Sequence, residues 1–237
     1  RVLVNRVWME HFGEPLVGSP ADFGARSDPP THPELLDWLA AEFMRTGWSL
    51  KHLHRLMVLS AAYQQGPAAK PERERLARGV DPDDKLLWHF PRRRLDLEAM
   101  RDTLLFVAGR LDCTMGGRPS SSAADPANAR RTLYGLIDRQ DLPTLYRAFD
   151  FAAPDQCVER RPRTTVPQQA LFGMNSPLVI EQARALMARP EIAQQTRPER
   201  EVEVLFVRVL GRPPTKQEQA TALRFVETAG ADREAEH

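Results

Sequence analysis

The sequence predicts a mainly α protein: a single irregular multi-helix domain with at most one small β element and a C-terminal helical hairpin. Three observations carry that expectation. Apolar residues recur at steps of three and four through most of the 237 residues. Several of those runs are preceded by Ser or Thr with Glu or Gln three positions on, the signature of a helix start. Only Thr132-Leu133-Tyr134-Gly135-Leu136-Ile137 reads as a strand.

In chain order, Val4, Val7, Trp8 and Phe12 give helical spacing over residues 1–12, and Gly13 is a natural stop. A loop rich in Pro and Gly follows. Thr31-His32-Pro33-Glu34 then reads as a capping box with proline in the first turn, where its missing N–H costs nothing. That helix carries Leu35, Leu36, Trp38, Leu39 and Phe43 to Gly47, and Trp48 sits where a C-terminal cap makes its apolar contact. Ser49 caps the next helix, with Leu50, Leu53, Leu56, Met57 and Ser60 inward. Residues 66–70 are a connector, 71–78 a polar helical piece, and Asp81-Pro82 opens a short helix through Trp88.

The central element is the helix from about Leu95 to Leu111. Leu97, Met100, Leu104, Val107 and Leu111 form an apolar stripe. Arg94, Glu98, Arg101 and Asp102 fall on the neighbouring flank, where Arg101 offsets the repulsion between Glu98 and Asp102. Residues 112–130 lack periodicity and read as a mobile excursion. Asp141 caps a short helix with Leu145 and Phe149. Thr165-Val166-Pro167-Gln168 is a second capping box, and Ser176-Pro177 restarts a helix through Ile180, Ala183 and Met187. Val202 to Val209, the turn Gly211-Arg212-Pro213-Pro214 and the cap Thr215-Lys216-Gln217-Glu218 make the hairpin, with Leu223 and Val226 facing the partner helix. Residues 231–237 read as a frayed tail.

Composition narrows the function classes. Thirty-three basic against 32 acidic residues leave +1, so no global field draws nucleic acid or an anionic membrane. No apolar run approaches the roughly 20 residues needed to span a bilayer. No arrangement of His, Cys, Asp or Glu has metal-ligand spacing: His52 and His54, two apart on a helix, point to opposite faces. There is no GxSxG, no phosphate loop after Gly116-Gly117, and no CxxCH to attach a c-type haem, so no cofactor is expected in this segment. Cys113 and Cys157 either pair as one disulfide or stay separate thiols. Trp8, Trp38, Trp48 and Trp88 fall at core spacing and read as packing residues. The polar groups that could converge are Asn5, Arg6, His11, Arg94, Glu98, Arg101, Asp102, Thr165 and Gln168. Arg92 and Arg93 with Arg160, Arg161 and Arg163 could hold an anion. The chain opens inside a helix, as a segment of a longer protein would.

Longer stretches resemble one family. Asn5-Arg6-Val7-Trp8 with His11-Phe12-Gly13, Ser19-Pro20-Ala21-Asp22-Phe23-Gly24 and Thr31-His32-Pro33-Glu34-Leu35-Leu36-Asp37-Trp38-Leu39 open the match. Gly47-Trp48-Ser49-Leu50-Lys51-His52-Leu53-His54-Arg55-Leu56, Arg92-Arg93-Arg94-Leu95 with Glu98, Arg101 and Asp102, and Met115-Gly116-Gly117 continue it. Arg163-Thr164-Thr165-Val166-Pro167-Gln168-Gln169, Asn175-Ser176-Pro177 and Leu210-Gly211-Arg212-Pro213-Pro214-Thr215 complete it. In order and content these resemble planctomycete domain of unknown function 1553. The resemblance implies the C-terminal part of a large exported protein, extracytoplasmic, with a cytochrome-c-like domain (and its haem) earlier in the chain. It implies a supporting role in redox or polysaccharide metabolism, with other domains of the same chain, and polysaccharide, as partners. It brings no catalytic residues to carry over. Two readings follow: a structural or interaction module, or an enzyme acting on acidic or sulfated glycans through a buried Arg/Glu/Asp site.

Overall fold

The computed structural model describes residues 1–66 and 71–235, of which 229–235 as backbone alone. Among them are eleven α-helices, one 3₁₀ turn and no strand, so the protein is mainly α. The connector residues 67–70 and the last two tail residues lie outside the described set. The chain divides into two compact units, Arg1–Arg94 and Leu95–His237.

The first unit contains α1 (Val2–Phe12), α2 (Pro33–Arg45), α3 (Leu50–Val58) and α4 (Pro71–Val80). Val4, Trp8 and Phe12 of α1 meet Leu36, Leu39 and Phe43 of α2 and Leu53 and Met57 of α3 in one apolar core. The turn between α2 and α3 is tight because Gly47 takes φ 69°, which lets the Trp48 N–H reach Phe43 O at 2.9 Å. The Trp48 ring then lies edge-on to Phe43, with centroids 5.3 Å apart.

Asn5 fastens the loop after α1. Its amide donates to Val17 O (3.1 Å) and accepts from Val17 N–H (2.9 Å), a side chain standing in for a neighbouring strand. Arg93 closes the end of α1 by donating to the carbonyls of Glu10 (3.1 Å) and His11 (2.5 Å), where the helix dipole favours a cation. It fits only because Gly13, at φ 90°, has no side chain: a Cβ there would meet Arg93 Cδ at 2.8 Å.

Several expectations are corrected in this unit. Residue 32, not Thr31, is the N-cap of α2, and Thr31 Oγ1 bonds Leu16 O (3.4 Å) instead. No helix forms at 81–88. The Asp81 carboxylate takes the N–H groups of Lys85 (3.0 Å) and Leu86 (2.7 Å), and Asp84 takes that of Trp88 (2.9 Å), so side chains replace the helical bonds. Of the four tryptophans only Trp8 is buried; Trp38 and Trp48 are exposed, and Trp88 is half-buried. On α3, Leu53 and Met57 are buried while Leu50 is exposed.

The second unit holds α5 (Leu97–Val107), the 3₁₀ turn Thr132–Tyr134, α6 (Thr144–Ala148), α7 (Pro167–Asn175), α8 (Pro177–Met187), α9 (Pro190–Ala193), α10 (Pro198–Leu210) and α11 (Lys216–Ala235). Its core gathers Leu97, Ala123, Leu142, Tyr146 and Phe149, with Met100, Phe151 and Phe172 against it. α8 packs on α5, α7 and α9, burying Leu178 and Gln182 while Ile180 and Met187 are exposed.

The stripe of α5 is the expected one only in part. Leu97 and Val107 are buried as expected, but Arg101 and Leu105 join them, while Met100 and Leu104 are half-buried. The strand expected at Thr132–Ile137 is a 3₁₀ turn followed by one bridge, Ser120 with Gly135, because the backbone it meets there belongs to a loop and its other neighbour, α5, is a helix. The glutamine of the α7 capping box is Gln169, whose Oε1 accepts from Val166 N–H (3.4 Å), not Gln168. α6 begins at Thr144 after Pro143, not at an Asp141 cap.

The hairpin of α10 and α11 forms as expected. Gly211 turns at φ 69°, and Thr215 N–H donates to Glu218 Oε2 (2.8 Å) while Glu218 N–H donates to Thr215 Oγ1 (3.3 Å). Leu223 is half-buried, but Val226 is exposed on a groove of about 880 Å³ between the two helices. α11 continues to Ala235, into the stretch read as tail.

Candidate functional site

The charged flank of α5 is where the second unit concentrates its polar chemistry. Arg101 is 1% exposed, on the buried face of the helix. Its Nε donates to Ala123 O (2.8 Å), one terminal nitrogen to Arg130 O (2.8 Å) and Thr132 Oγ1 (3.2 Å), and the other to Asn128 O. A planar fork of five N–H donors suits four acceptors spread around it; a lysine ammonium, with three donors at one point, does not. Burial pushes the guanidinium pKa down, and Asp102, 3.9 Å away, offsets part of that cost.

Asp102 lies one residue on. Its Oδ1 accepts from both the backbone N–H and the hydroxyl of Thr132, each at 2.7 Å, and Arg131 stands 3.5 Å from Oδ2. Arg101 and Asp102 thus fasten the later half of one excursion, from Ala123 to Thr132, to the central helix. Within loop 112–130, Asn128 Nδ2 donates to Ser121 O (2.9 Å), and Arg130 donates to the carbonyls of Arg118 (3.0 Å), Thr114 (3.1 Å) and Gly116 (2.5 Å) while lying over the Tyr134 ring (4.2 Å). The stretch has no helix or strand, but arginine and asparagine side chains supply its backbone with partners.

Glu98, one turn before Asp102, behaves differently. Its Oε1 accepts from Arg161 Nη1 at 2.8 Å, and that guanidinium rests on the Phe151 ring at 4.5 Å. Its Oε2 is buried with no hydrogen-bond partner, as is the hydroxyl of Tyr146. Both residues border a cleft of about 440 Å³, whose other walls include Asp102, Arg131, Gly135 and Phe151. A Cβ at Gly135 would meet Tyr146 Oη at 2.8 Å, so glycine is what leaves the hydroxyl room. Burial raises the Tyr146 pKa, with the Glu98 charge adding to it.

The expected polar residues are shared between the two units. Glu98, Arg101 and Asp102 stand together on α5; Thr165 and Gln168 are exposed and do not line the cleft. Asn5, Arg6, His11 and Arg94 belong to the first unit. There Asn5 is buried on Val17, Arg6 and Arg94 are exposed, and His11 donates through Nδ1 to Val7 O (2.9 Å) with its Nε2 3.2 Å from His54 Nδ1. Of the arginines expected to hold an anion, Arg92 is exposed and Arg93 caps α1. Arg160, Arg161 and Arg163 line a shallow pocket in the second unit, with Arg161 already held by Glu98. Cys113 and Cys157 are exposed free thiols. Among the described residues, no group of three or more His, Cys, Asp or Glu could hold a metal ion.

Tyr146, Phe151, Gly135 and Arg131 went unmarked in the sequence. Tyr146 alone carried a signal, and an ordinary one: an aromatic on a short helical element, which reads as core.

What fold and site define is a mainly α protein whose charged central helix is knit to a long loop and bordered by a small cleft. The family model described as PSD1, Protein of unknown function (DUF1553), matches residues 1–226, and the chain belongs to that family. No curated protein and no solved structure matches the chain significantly. No helix among the described residues is long and apolar enough to cross a membrane.

Proposed function

We propose that this chain is a structural and interaction module of a larger exported protein serving redox or polysaccharide metabolism, its partners being other domains of the same chain. One observation carries the reading. Arg101, the most chemically conspicuous residue of the central helix, is wholly engaged by four acceptors of its own chain. A buried cation spent in this way fixes the path of a loop and is withdrawn from any substrate. Export and the neighbouring haem domain rest on the family resemblance.

The rival, an enzyme acting on acidic or sulfated glycans, needs cations facing open space. Arg161 and Arg131 in the cleft instead face Glu98 and Asp102. The test is Arg101→Lys in the intact parent protein, following its melting midpoint, abundance and localisation. A structural module loses midpoint and abundance together. A parent protein that keeps both while losing turnover would reverse the reading.

A further inference from the structure

The cleft beside α5 keeps two polar atoms that the fold does not use. Glu98 Oε2 and Tyr146 Oη are buried without a partner, in a structure whose neighbouring polar groups, Arg101 and Asp102 among them, are met several times over. Leaving a buried donor or acceptor unmatched carries its full desolvation cost, and such atoms call for a specific explanation. Tyr146 is 1% exposed, so its hydroxyl is not served by bulk water. Phenylalanine would fill the same place in the core without that cost.

We propose that this cleft takes a small neutral ligand bearing adjacent hydroxyl groups, a sugar residue in chemical class, whose hydroxyls bond Glu98 Oε2 and Tyr146 Oη. The charges choose the class. Glu98 and Asp102 balance Arg161 and Arg131 around the cleft, so the site as a whole is neutral. An anion would meet the uncovered carboxylate oxygen, and a cation would join two arginines already there; both cost Coulomb energy in a partly desolvated cleft. A carboxylate oxygen only accepts and a phenol both donates and accepts, which adjacent hydroxyls satisfy together. The volume of about 440 Å³ lies in the range of small-molecule sites. Arg161 is the wall that gives way: its side chain is 35% exposed, holds Glu98 by one hydrogen bond and rests on Phe151. The proposal goes beyond the structural reading above, and its failure leaves the role of Arg101 untouched.

The test is saturation-transfer NMR and calorimetric titration on the full 237-residue chain, with methyl glucoside, cellobiose and maltose as neutral probes and glucose 6-sulfate as the charged one. Binding of a neutral probe is expected, weakened about five- to tenfold by Tyr146→Phe, the loss of one hydrogen bond. The same variant, freed of an unmatched hydroxyl, melts higher. The monosaccharide and disaccharide arms tell a free sugar from the end of a polysaccharide. No transfer from any neutral probe overturns the proposal, because the two oxygens are then served by trapped water. Equal binding by Tyr146→Phe, preference for the sulfated sugar, or a lower melting point for the variant overturns it as well.

Discussion

At the scale of single residues the second unit holds two buried polar side chains with opposite energetics. Arg101 is matched on four bonds, Tyr146 on none. Replacing Arg101 by Lys strands the carbonyls of Ala123, Asn128 and Arg130 in the interior, since one ammonium cannot reach them all. The expected loss is about 3–5 kcal/mol, on the order of ten degrees in melting midpoint for a chain of this size. Thermal unfolding followed by circular dichroism checks it, and hydrogen exchange should show the lost protection concentrated in residues 112–134. Tyr146→Phe moves the other way, by about 1 kcal/mol of added stability. Neither behaviour was legible from spacing. Arg101 sits on the helix face next to Leu97 and Leu105, and only the carbonyls brought by a loop some thirty residues later make that position habitable for a cation.

Among the elements, the starts and stops of helices were the readable part. Gly13, Gly47 and Gly211 end α1, α2 and α10 with positive φ, and the Thr215–Glu218 box opens α11 as the residues suggest. Which face each helix buries was read less well, because a period of three or four fixes a stripe but not which of two adjacent stripes meets a neighbour. α8 is the clearest instance. Ile180, Ala183 and Met187 mark its course in the sequence, yet the helix buries Leu178 and Gln182. Neither the amide nitrogen nor the amide oxygen of Gln182 has a partner, and the residue is 2% exposed. Gln182→Met keeps the length and flexibility of the side chain while removing both polar atoms. It should add roughly 1–3 kcal/mol to the stability of the packing of α8 on α5, α7 and α9. Chemical denaturation with an unchanged m-value checks it; a variant less stable than the parent would show the amide to be served by ordered water.

For the molecule as a whole, the near balance of charge is kept by arginine–carboxylate pairs on exposed faces, and acid should undo them. Several carboxyl groups among the described residues sit below their ordinary pKa: Glu42 through hydrogen bonds from Arg45 and then His52, Asp112 through Thr114, Glu191 through its own backbone N–H and then Arg189, and Glu218 through Arg212 and then Thr215. The strongest case is Glu218, lowered from 4.5 to about 2 where Arg212 grips it with two bonds and the Thr215 N–H closes the cap of α11. A carboxyl more acidic in the folded state than in the unfolded one contributes stability above its unfolded pKa and loses it as pH falls through the folded value. The melting midpoint is therefore expected to hold between pH 7 and 5 and to fall from about 4.5 toward 2. Because these pairs face solvent, added salt should flatten the fall. Glu218→Gln keeps a side chain able to accept from the cap but has nothing to titrate, so its midpoint should start lower and decline less steeply. Midpoints across this pH series at fixed ionic strength decide the matter: parallel curves for the parent and the variant would remove Glu218 from the acid response of the chain.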